Sequence, residues 1–186
     1  MKGLAAWAAY VLVLAAAVHV AVMLYIPRFF TTAAVSRIYR DRNDWRINTL
    51  EYGSLRSAGN DTIVRDNPDT IVSFAVLDIS SSPVRIHCAV PEGDNYWSVS
   101  IFAWNTDTFY IVNDLEAPAP EFDVMLVKRN SLYQPLPRER IVVSPTERAV
   151  LIVRMNVTDR HDEHEVARLT EVQHRMFVEP VDGVIY

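Results

Sequence analysis

The chain has 186 residues, of which 50% are apolar and 22% are charged, so it can form one domain plus an accessory element and is not a disordered chain. Its formal net charge of −5 disfavours nucleic-acid binding, which needs clustered Lys and Arg. Cys88 is the only cysteine, which excludes an intramolecular disulfide and a thiolate metal cluster. Because Cys88 lies in an apolar alternation, we expect it to pack as a small hydrophobe.

The N-terminal segment predicts a membrane span. Residues 4–26 contain no Asp, Glu, Lys or Arg, and His19 is their only strongly polar side chain. As a helix this segment would be about 34 Å long, slightly more than the ~30 Å hydrocarbon core of a bilayer. Aromatic side chains that favour membrane interfaces lie near its two ends: Trp7, Tyr10 and Tyr25. The pattern predicts a single-pass anchor over residues 1–27, with Pro27 ending the apolar run.

A cleaved signal peptide is the alternative for this segment. Lys2 supplies a minimal positive region, and Ala15, Ala16 and Ala17 are small enough for a cleavage site. The apolar core of a signal peptide usually has about 7–15 residues, whereas here it continues well past those alanines. We therefore expect the segment to be retained as an anchor.

Residues 28–60 are predicted to form a helical or mixed connector. Side chains in this segment recur at near-helical spacing, so that one face could pack on the domain or lie along the membrane. They are Val35, Ile38, Tyr39, Arg42 and Trp45. Gly53 and the Gly59-Asn60-Asp61 run then break the pattern.

Residues 61–186 are predicted to form a β-rich domain, because apolar and polar residues alternate and turn-forming residues separate short runs. The predicted strands are residues 70–79, 84–90, 96–104, 108–112, 122–127, 141–143 and 148–157. Thr158 and Asp159 are predicted to cap a final helix that continues to about Phe177. The fold class is therefore mainly β, an antiparallel sandwich or jelly-roll-like domain with a C-terminal helix, preceded by one N-terminal transmembrane helix.

Several spaced motifs resemble the domain-of-unknown-function 1254 family over roughly residues 45–180. The first is Thr62-Ile63-Val64-Arg65-Asp66-Asn67-Pro68-Asp69-Thr70-Ile71-Val72-Ser73, followed by Leu77-Asp78-Ile79-Ser80 and Pro83-Val84. The middle motifs are Tyr96-Trp97-Ser98-Val99 and Trp104-Asn105-Thr106-Asp107-Thr108-Phe109, and the last is Ser144-Pro145-Thr146 with the following strand and helix. Many members have a tyrosine where this chain has Val72.

The resemblance implies an all-β, jelly-roll-like domain that is often exported, with no established reaction. It also implies a companion β domain of a related family, fused in some proteins and separate in others. The positive-inside rule opposes export, because five arginines follow the span: Arg28, Arg37, Arg40, Arg42 and Arg46. Following the resemblance, we expect a plasma-membrane protein whose domain lies on the exported side.

The first candidate ligand site is the polar cluster that precedes an otherwise apolar strand. It consists of Arg65, Asn67, Asp69 and Thr70. Asp69 could bind a ligand or act as a general base in a polar pocket. The alternative is structural, an Arg–carboxylate ion pair beside a capped turn.

The second candidate ligand site consists of Trp104, Asn105 and Asp107, with Thr106 between them. An aromatic ring beside amide and carboxylate groups suits sugars, because the ring packs on C–H faces while the polar groups bind hydroxyls. The alternative is a hairpin turn, in which Asn, Thr and Asp satisfy the backbone without a ligand.

Other kinds of site have weak support. His161 and His164 share a helix face and His174 lies farther along, yet no zinc-hydrolase motif is present. The chain has no Gly-x-Ser-x-Gly elbow and no phosphate-binding Gly-rich loop. We therefore assign no catalytic residue and expect no metal, no cofactor and no nucleic-acid partner.

Three functions stay open at this stage. The first is a non-catalytic envelope module that binds a partner protein or an envelope glycan, through strand edges and the aromatic strip of Tyr96, Trp97, Trp104 and Phe109. The alternative is a hydrolase-type enzyme that pairs Asp69 with Asp107 in one pocket. The third is a scaffold for a membrane complex, suggested by His19 and by the small-residue spacing of Ala17 and Ala21.

Overall fold

A computed structural model describes residues 2–40, 46–55, 67–134, 136 and 139–181. The elements follow one another as one long helix, eight strands, a short helix and a final strand. The predicted connector residues Arg42 and Trp45 and the break at residues 59–61 lie outside the described residues, as does Arg65.

The N-terminal helix α1 runs from Lys2 to Arg40, or about 58 Å. It is long and apolar enough to cross a membrane between Gly3 and Ile38, and its most apolar window has no buried residue. The apolar run ends at Pro27 as expected, but the helix continues through this proline. Near the proline, Arg28 donates to Leu24 O at 2.6 Å and Thr31 donates to Pro27 O at 3.1 Å.

The domain is a sandwich of two sheets. The five-stranded sheet has the order β1-β2-β8-β4-β5, and the four-stranded sheet has the order β7-β6-β3-β9. The strands are β1 Glu51–Tyr52, β2 Thr70–Asp78, β3 Val84–Ala89, β4 Trp97–Ala103, β5 Thr108–Asn113, β6 Glu121–Lys128, β7 Glu139–Ser144, β8 Arg148–Asn156 and β9 Phe177–Pro180. All seven predicted strands are confirmed, with ends shifted by one or two residues.

One pairing departs from the predicted antiparallel pattern: β7 runs parallel to β6. A parallel pair needs a crossover, which here connects Lys128 to Glu139, and the structure describes residues 129–134 and 136 of it. The crossover is held to the sheet where Tyr133 donates from its hydroxyl to Glu139 Oε2 at 2.6 Å.

The main core lies between the sheets and takes alternate residues from both. Cys88 is 1% exposed within it, which confirms the prediction that this cysteine packs as a hydrophobe, and burial raises the pKa of its thiol. The aromatic strip is mostly core as well: Trp97 is 2% exposed and Phe109 packs against the core, while Tyr96 stays 44% exposed.

Helix α2 spans Glu163–Arg175 and adds Leu169 and Val172 to the main core. Its N-cap is Asp162, whose carboxylate accepts from the N–H groups of His164 and Glu165. The predicted cap at Thr158 and Asp159 is wrong, because Asp159 instead forms a separate turn that accepts from His161 N at 2.9 Å.

A second, smaller core lies on the outer face of the five-stranded sheet, where α1 contacts the domain. Val35 of α1 is 8% exposed and packs with Val76 and Val150. Trp104 joins this cluster and donates from Nε1 to Thr32 Oγ1 at 3.2 Å. The predicted connector is therefore, in its first part, a continuation of α1 whose face packs on the sheet.

Candidate functional site

The first predicted cluster lies where β2 begins, at the end of the sandwich that we call the Asp69 end. Asn67 Oδ1 accepts from Asp69 N at 3.1 Å, which is a local turn contact. Thr70 is 3% exposed and donates to Asn156 Oδ1 at 2.9 Å, and Asp69 lies 3.9 Å from Arg160. These contacts are those of a capped strand end.

The second predicted cluster is the turn between β4 and β5, at the opposite end of the sandwich, which we call the Trp104 end. Asn105 donates to Asp107 Oδ2 at 2.6 Å, and Thr106 has a left-handed φ of 75° with its N–H donated to Ala103 O. The ring of Trp104 faces α1 and the guanidinium of Arg148, 5.9 Å from the ring centroid. The ring of the predicted aromatic shelf is therefore already contacted by α1 and by Arg148.

The structure does not bring Asp69 and Asp107 together. β2 is paired along its whole length with β8 from Thr70 to Asp78, and β8 is paired with β4 up to Ala103. Asp69 precedes this ladder at one end and Asp107 follows β4 at the other, about 26 Å away at 3.3 Å per residue. The expectation that the two carboxylates share one pocket is thus wrong, because sheet register separates them.

One polar network was not predicted. It lies on the outer face of the four-stranded sheet, where four strands meet the described part of the crossover, residues 129–134 and 136. Arg85 donates to Glu179 at 3.0 Å and to Glu139 at 3.4 Å, and His87 Nδ1 lies 2.7 Å from Asp123 Oδ1. The His87 ring also stacks on Phe177, with centroids 4.8 Å apart.

Glu139 is the buried centre of this network, with a side chain that is only 4% exposed. Burial opposes its ionisation, but hydrogen bonds from the Tyr133 hydroxyl and the Leu136 N–H, together with Arg85, outweigh burial and lower its pKa. Burial and the bond to Glu139 raise the pKa of Tyr133 to about 12. Glu139 therefore stays a carboxylate that fixes the crossover onto the sheet.

The His87–Asp123 pair has the form of a base with its orienting carboxylate. Within the described residues, however, its hydrogen bonds include no hydroxyl or thiol that could act as a nucleophile. The network therefore reads as structural. Arg85 and His87 alternate with Cys88 along β3 and lie on the opposite face of the strand. Their partners come from strands far along the chain and could not be paired without the register.

A groove of about 470 Å³ lies between α1 and the Trp104 end. Its lining is Arg28, Asp78, Ser80, Trp104, Thr146, Glu147 and Arg148. Arg148 donates to Asp78 Oδ2 at 3.2 Å. Burial opposes ionisation of Asp78, but Ser80 and Arg148 outweigh burial and lower its pKa. The neighbouring Asn105 Oδ1 is buried without a hydrogen-bond partner in the described part of the chain.

The outer edge of the four-stranded sheet, which we call the β7 edge, carries exposed aliphatic side chains beside the exposed Arg140. Ile141 and Val143 of β7 are 37% and 52% exposed, and the crossover before them presents Leu132 and Leu136 at 76% and 58%. Hydrogen bonds with Glu139 hold Leu136 at the start of the strand.

No group of three or more His, Cys, Asp or Glu side chains that could hold a metal ion is found among the described residues. His161 and His164 lie exposed at the start of α2. His174 is at the other end of the helix, with its ring 4.9 Å from that of Tyr52.

One solved structure agrees with this fold. A crystal structure of the VPA0106 protein from Vibrio parahaemolyticus has 12% identity and a TM-score of 0.65, over 88% of this chain and 41% of that one. An uncharacterized protein from Burkholderia cenocepacia has 16% identity and a TM-score of 0.45, over 88% of this chain and 42% of that one. No curated protein matches.

At these identities the Vibrio structure shows the fold alone, and this chain spans about two fifths of the length of the solved proteins that it matches. The family model described as "Protein of unknown function (DUF1254)" matches residues 47–180, which is most of the chain. The protein therefore belongs to the DUF1254 family of proteins of unknown function.

Proposed function

We propose that the protein is a membrane-anchored, non-catalytic module of the cell envelope that binds a partner protein along its β7 edge. The observation that carries the proposal is the exposure of four aliphatic side chains in β7 and in the crossover just before it, Leu132, Leu136, Ile141 and Val143. Soluble proteins usually protect a sheet edge with charges, prolines or a covering element. A contiguous apolar patch beside an edge strand is typical of an interaction surface.

The β7 edge is suited to strand addition. Within the described residues β7 pairs only with β6, so its other side presents backbone donors and acceptors to a partner strand. Glu139 and Tyr133 fix the crossover against the sheet. A surface held in place before binding loses less conformational entropy when the partner arrives, which favours affinity.

A companion β domain is the first candidate for the partner. The family resemblance associates such a domain with this one, either fused or on a separate chain. The solved Vibrio chain is more than twice as long as its matched part, so this fold occurs there beside further polypeptide. A partner of this kind would present its own sheet edge or apolar face to β7.

The anchor in this proposal is α1, retained as a signal anchor in the plasma membrane. Its length and composition support a span, and its contact with the sheet through Val35 holds the domain near the bilayer. The exported side is the location that the family resemblance favours. Neither the glycan nor the paired-carboxylate alternative has a comparable observation, because the Trp104 ring already contacts Thr32 and Arg148, and Asp69 lies far from Asp107.

Co-purification tests the proposal with a closely matched control. Val143 in β7 and Ile111 in β5 are both 52% exposed, on edge strands of opposite sheets. We expect mild detergent extraction of the wild-type chain to retain a protein partner in fixed stoichiometry, Val143→Glu to lose it and Ile111→Glu to keep it. Equal retention by the two variants, or loss in both, would remove the β7 edge from the proposal.

A further inference from the structure

Three contacts between α1 and the domain occur in order along the helix. Arg28 lines the groove together with turn residues of the Trp104 end. Thr32 is hydrogen-bonded to Trp104. Val35 packs on Val76 and Val150, which lie farther along the strands from that end. The strands of the five-stranded sheet therefore run alongside α1, with the Trp104 end toward the apolar segment.

This order fixes the height of the groove above the membrane. Ile26 is the last residue of the apolar run. At 1.5 Å per residue, Arg28 follows it by about 3 Å, Thr32 by about 9 Å and Val35 by about 14 Å. The headgroup layer on each side of the hydrocarbon core is about 5–8 Å thick. The groove thus opens at the level of the phospholipid headgroups, where a Trp such as Trp104 is also favoured.

The groove carries balanced charge. Two arginines, Arg28 and Arg148, face two carboxylates, Asp78 and Glu147. Arg148 and Asp78 are already paired with each other. Arg28 uses one amino group to bond Leu24 O, which leaves its other N–H groups for a ligand. The exposed Glu147 carboxylate makes no hydrogen bond or ion pair within the described part of the chain.

We propose that this groove binds the headgroup of a zwitterionic, amine-bearing phospholipid. The lipid phosphate accepts hydrogen bonds from the Arg28 guanidinium, and the ammonium group donates to the Glu147 carboxylate. A lipid with one negative and one positive group matches a lining of zero net charge, whereas an anionic lipid leaves Glu147 facing like charge. The inference rests on the membrane anchor of the proposed function.

Native mass spectrometry of the full chain, released from nanodiscs of equal phosphatidylethanolamine and phosphatidylglycerol, tests the site. We expect the wild-type chain to retain phosphatidylethanolamine preferentially. Arg28→Gln and Glu147→Gln should each lower that retention by up to about fivefold, as loss of one exposed ion pair predicts. Arg129→Gln is the matched control, because Arg129 is exposed at the same end but outside the groove. It should retain as much lipid as the wild type.

Retention of both lipids equally, no retained lipid, or equal loss in Arg129→Gln would overturn the assignment. Displacement of the lipid by millimolar inorganic phosphate would also overturn it, since the site would then be one for free phosphate. A chain that fails to enter nanodiscs would refute the anchor and the lipid site together. A chain that enters them but shows no groove-dependent retention would refute the lipid site alone and leave the β7 edge standing.

Discussion

Gly53 is pressed against the backbone of β2. Its N–H donates to Val72 O at 3.0 Å, and a Cβ at this position would lie 2.3 Å from the same oxygen. Its own carbonyl accepts from Gln173 Nε2 at 2.9 Å, an amide that also donates to Ser73 Oγ at 2.8 Å. One glycine therefore sets the close approach of β1 to β2 and the position of α2.

Gly53→Ala should destabilise the domain, because the added methyl group meets backbone that cannot rotate away. We expect a loss of about 2–3 kcal/mol in the free energy of unfolding. Urea unfolding of the full chain in detergent measures it. Gly3→Ala is the control, since nothing lies within 4 Å of a Cβ there. Equal stability of the two variants would show that β1 does not pack as described.

Glu165 ties the start of α2 to the end of β8. Its carboxylate accepts from the N–H groups of Thr158 and Asp159, both at 2.9 Å, and from the Asn95 amide. The two backbone N–H bonds, with that of Asp159 the stronger influence, lower its pKa from 4.5 to about 2. Because the folded-state pKa is depressed, the stability that it contributes is present above pH 4.5 and is lost as pH falls toward 2.

Glu165→Gln should therefore make the free energy of unfolding depend less steeply on pH at acid pH. The wild-type chain should lose unfolding free energy between pH 5 and pH 3 more steeply than the variant, as urea midpoints at each pH would record. Glu163→Gln, an exposed change in the same helical turn, should keep the wild-type slope. A Glu165→Gln profile parallel to that of the wild type would contradict the linkage.

The sequence predicted well those residue properties that depend on local alternation. The burial of Cys88 follows from the pattern of β3, and the turn roles of Asn67 and Asn105 were among the alternatives weighed. The Glu139 network could not be predicted, because its strands are brought together by register and by a parallel crossover. For the same reason, the separation of Asp69 from Asp107 could not be predicted without the pairing of β2 and β4 with β8.

At the scale of elements, the contact between α1 and the five-stranded sheet depends on a small apolar cluster. Val35→Asp would place an unpaired charge among Val76 and Val150, at a cost of about 3 kcal/mol, and should release the helix from the sheet. Hydrogen exchange of residues 30–38 should then accelerate by about tenfold or more. Ala34→Asp changes an exposed neighbour and should leave exchange as in the wild type. Unchanged exchange in Val35→Asp would contradict the docking.

Strand assignment from period-two alternation was largely correct, but it did not predict the two shortest strands, β1 and β9. The sequence also did not predict how far α1 continues. β1 and β9 have two and four residues, too few for a periodic signal. Helix α1 also continues through Pro27, although a proline inside a helix usually kinks or ends it.

At the scale of the whole molecule, retention of the apolar segment distinguishes an anchor from a cleaved signal. The chain purified from washed membranes should have the full mass of 21.2 kDa. Removal of residues up to Ala17 would lower the mass by roughly a tenth and release the domain from the membrane. Intact-mass measurement separates these outcomes, and a shortened, soluble product would refute both the anchor and the lipid site.

The central claim, a protein-binding β7 edge on an anchored domain, is tested most directly by photo-crosslinking in intact membranes. A photoreactive residue at position 143 should join the chain to one protein, through a peptide from a β domain of that protein. The same residue at position 111, where Ile111 is equally exposed, should give no such adduct. Adducts of the same proteins from both positions, or adducts with lipid alone at position 143, would contradict the account.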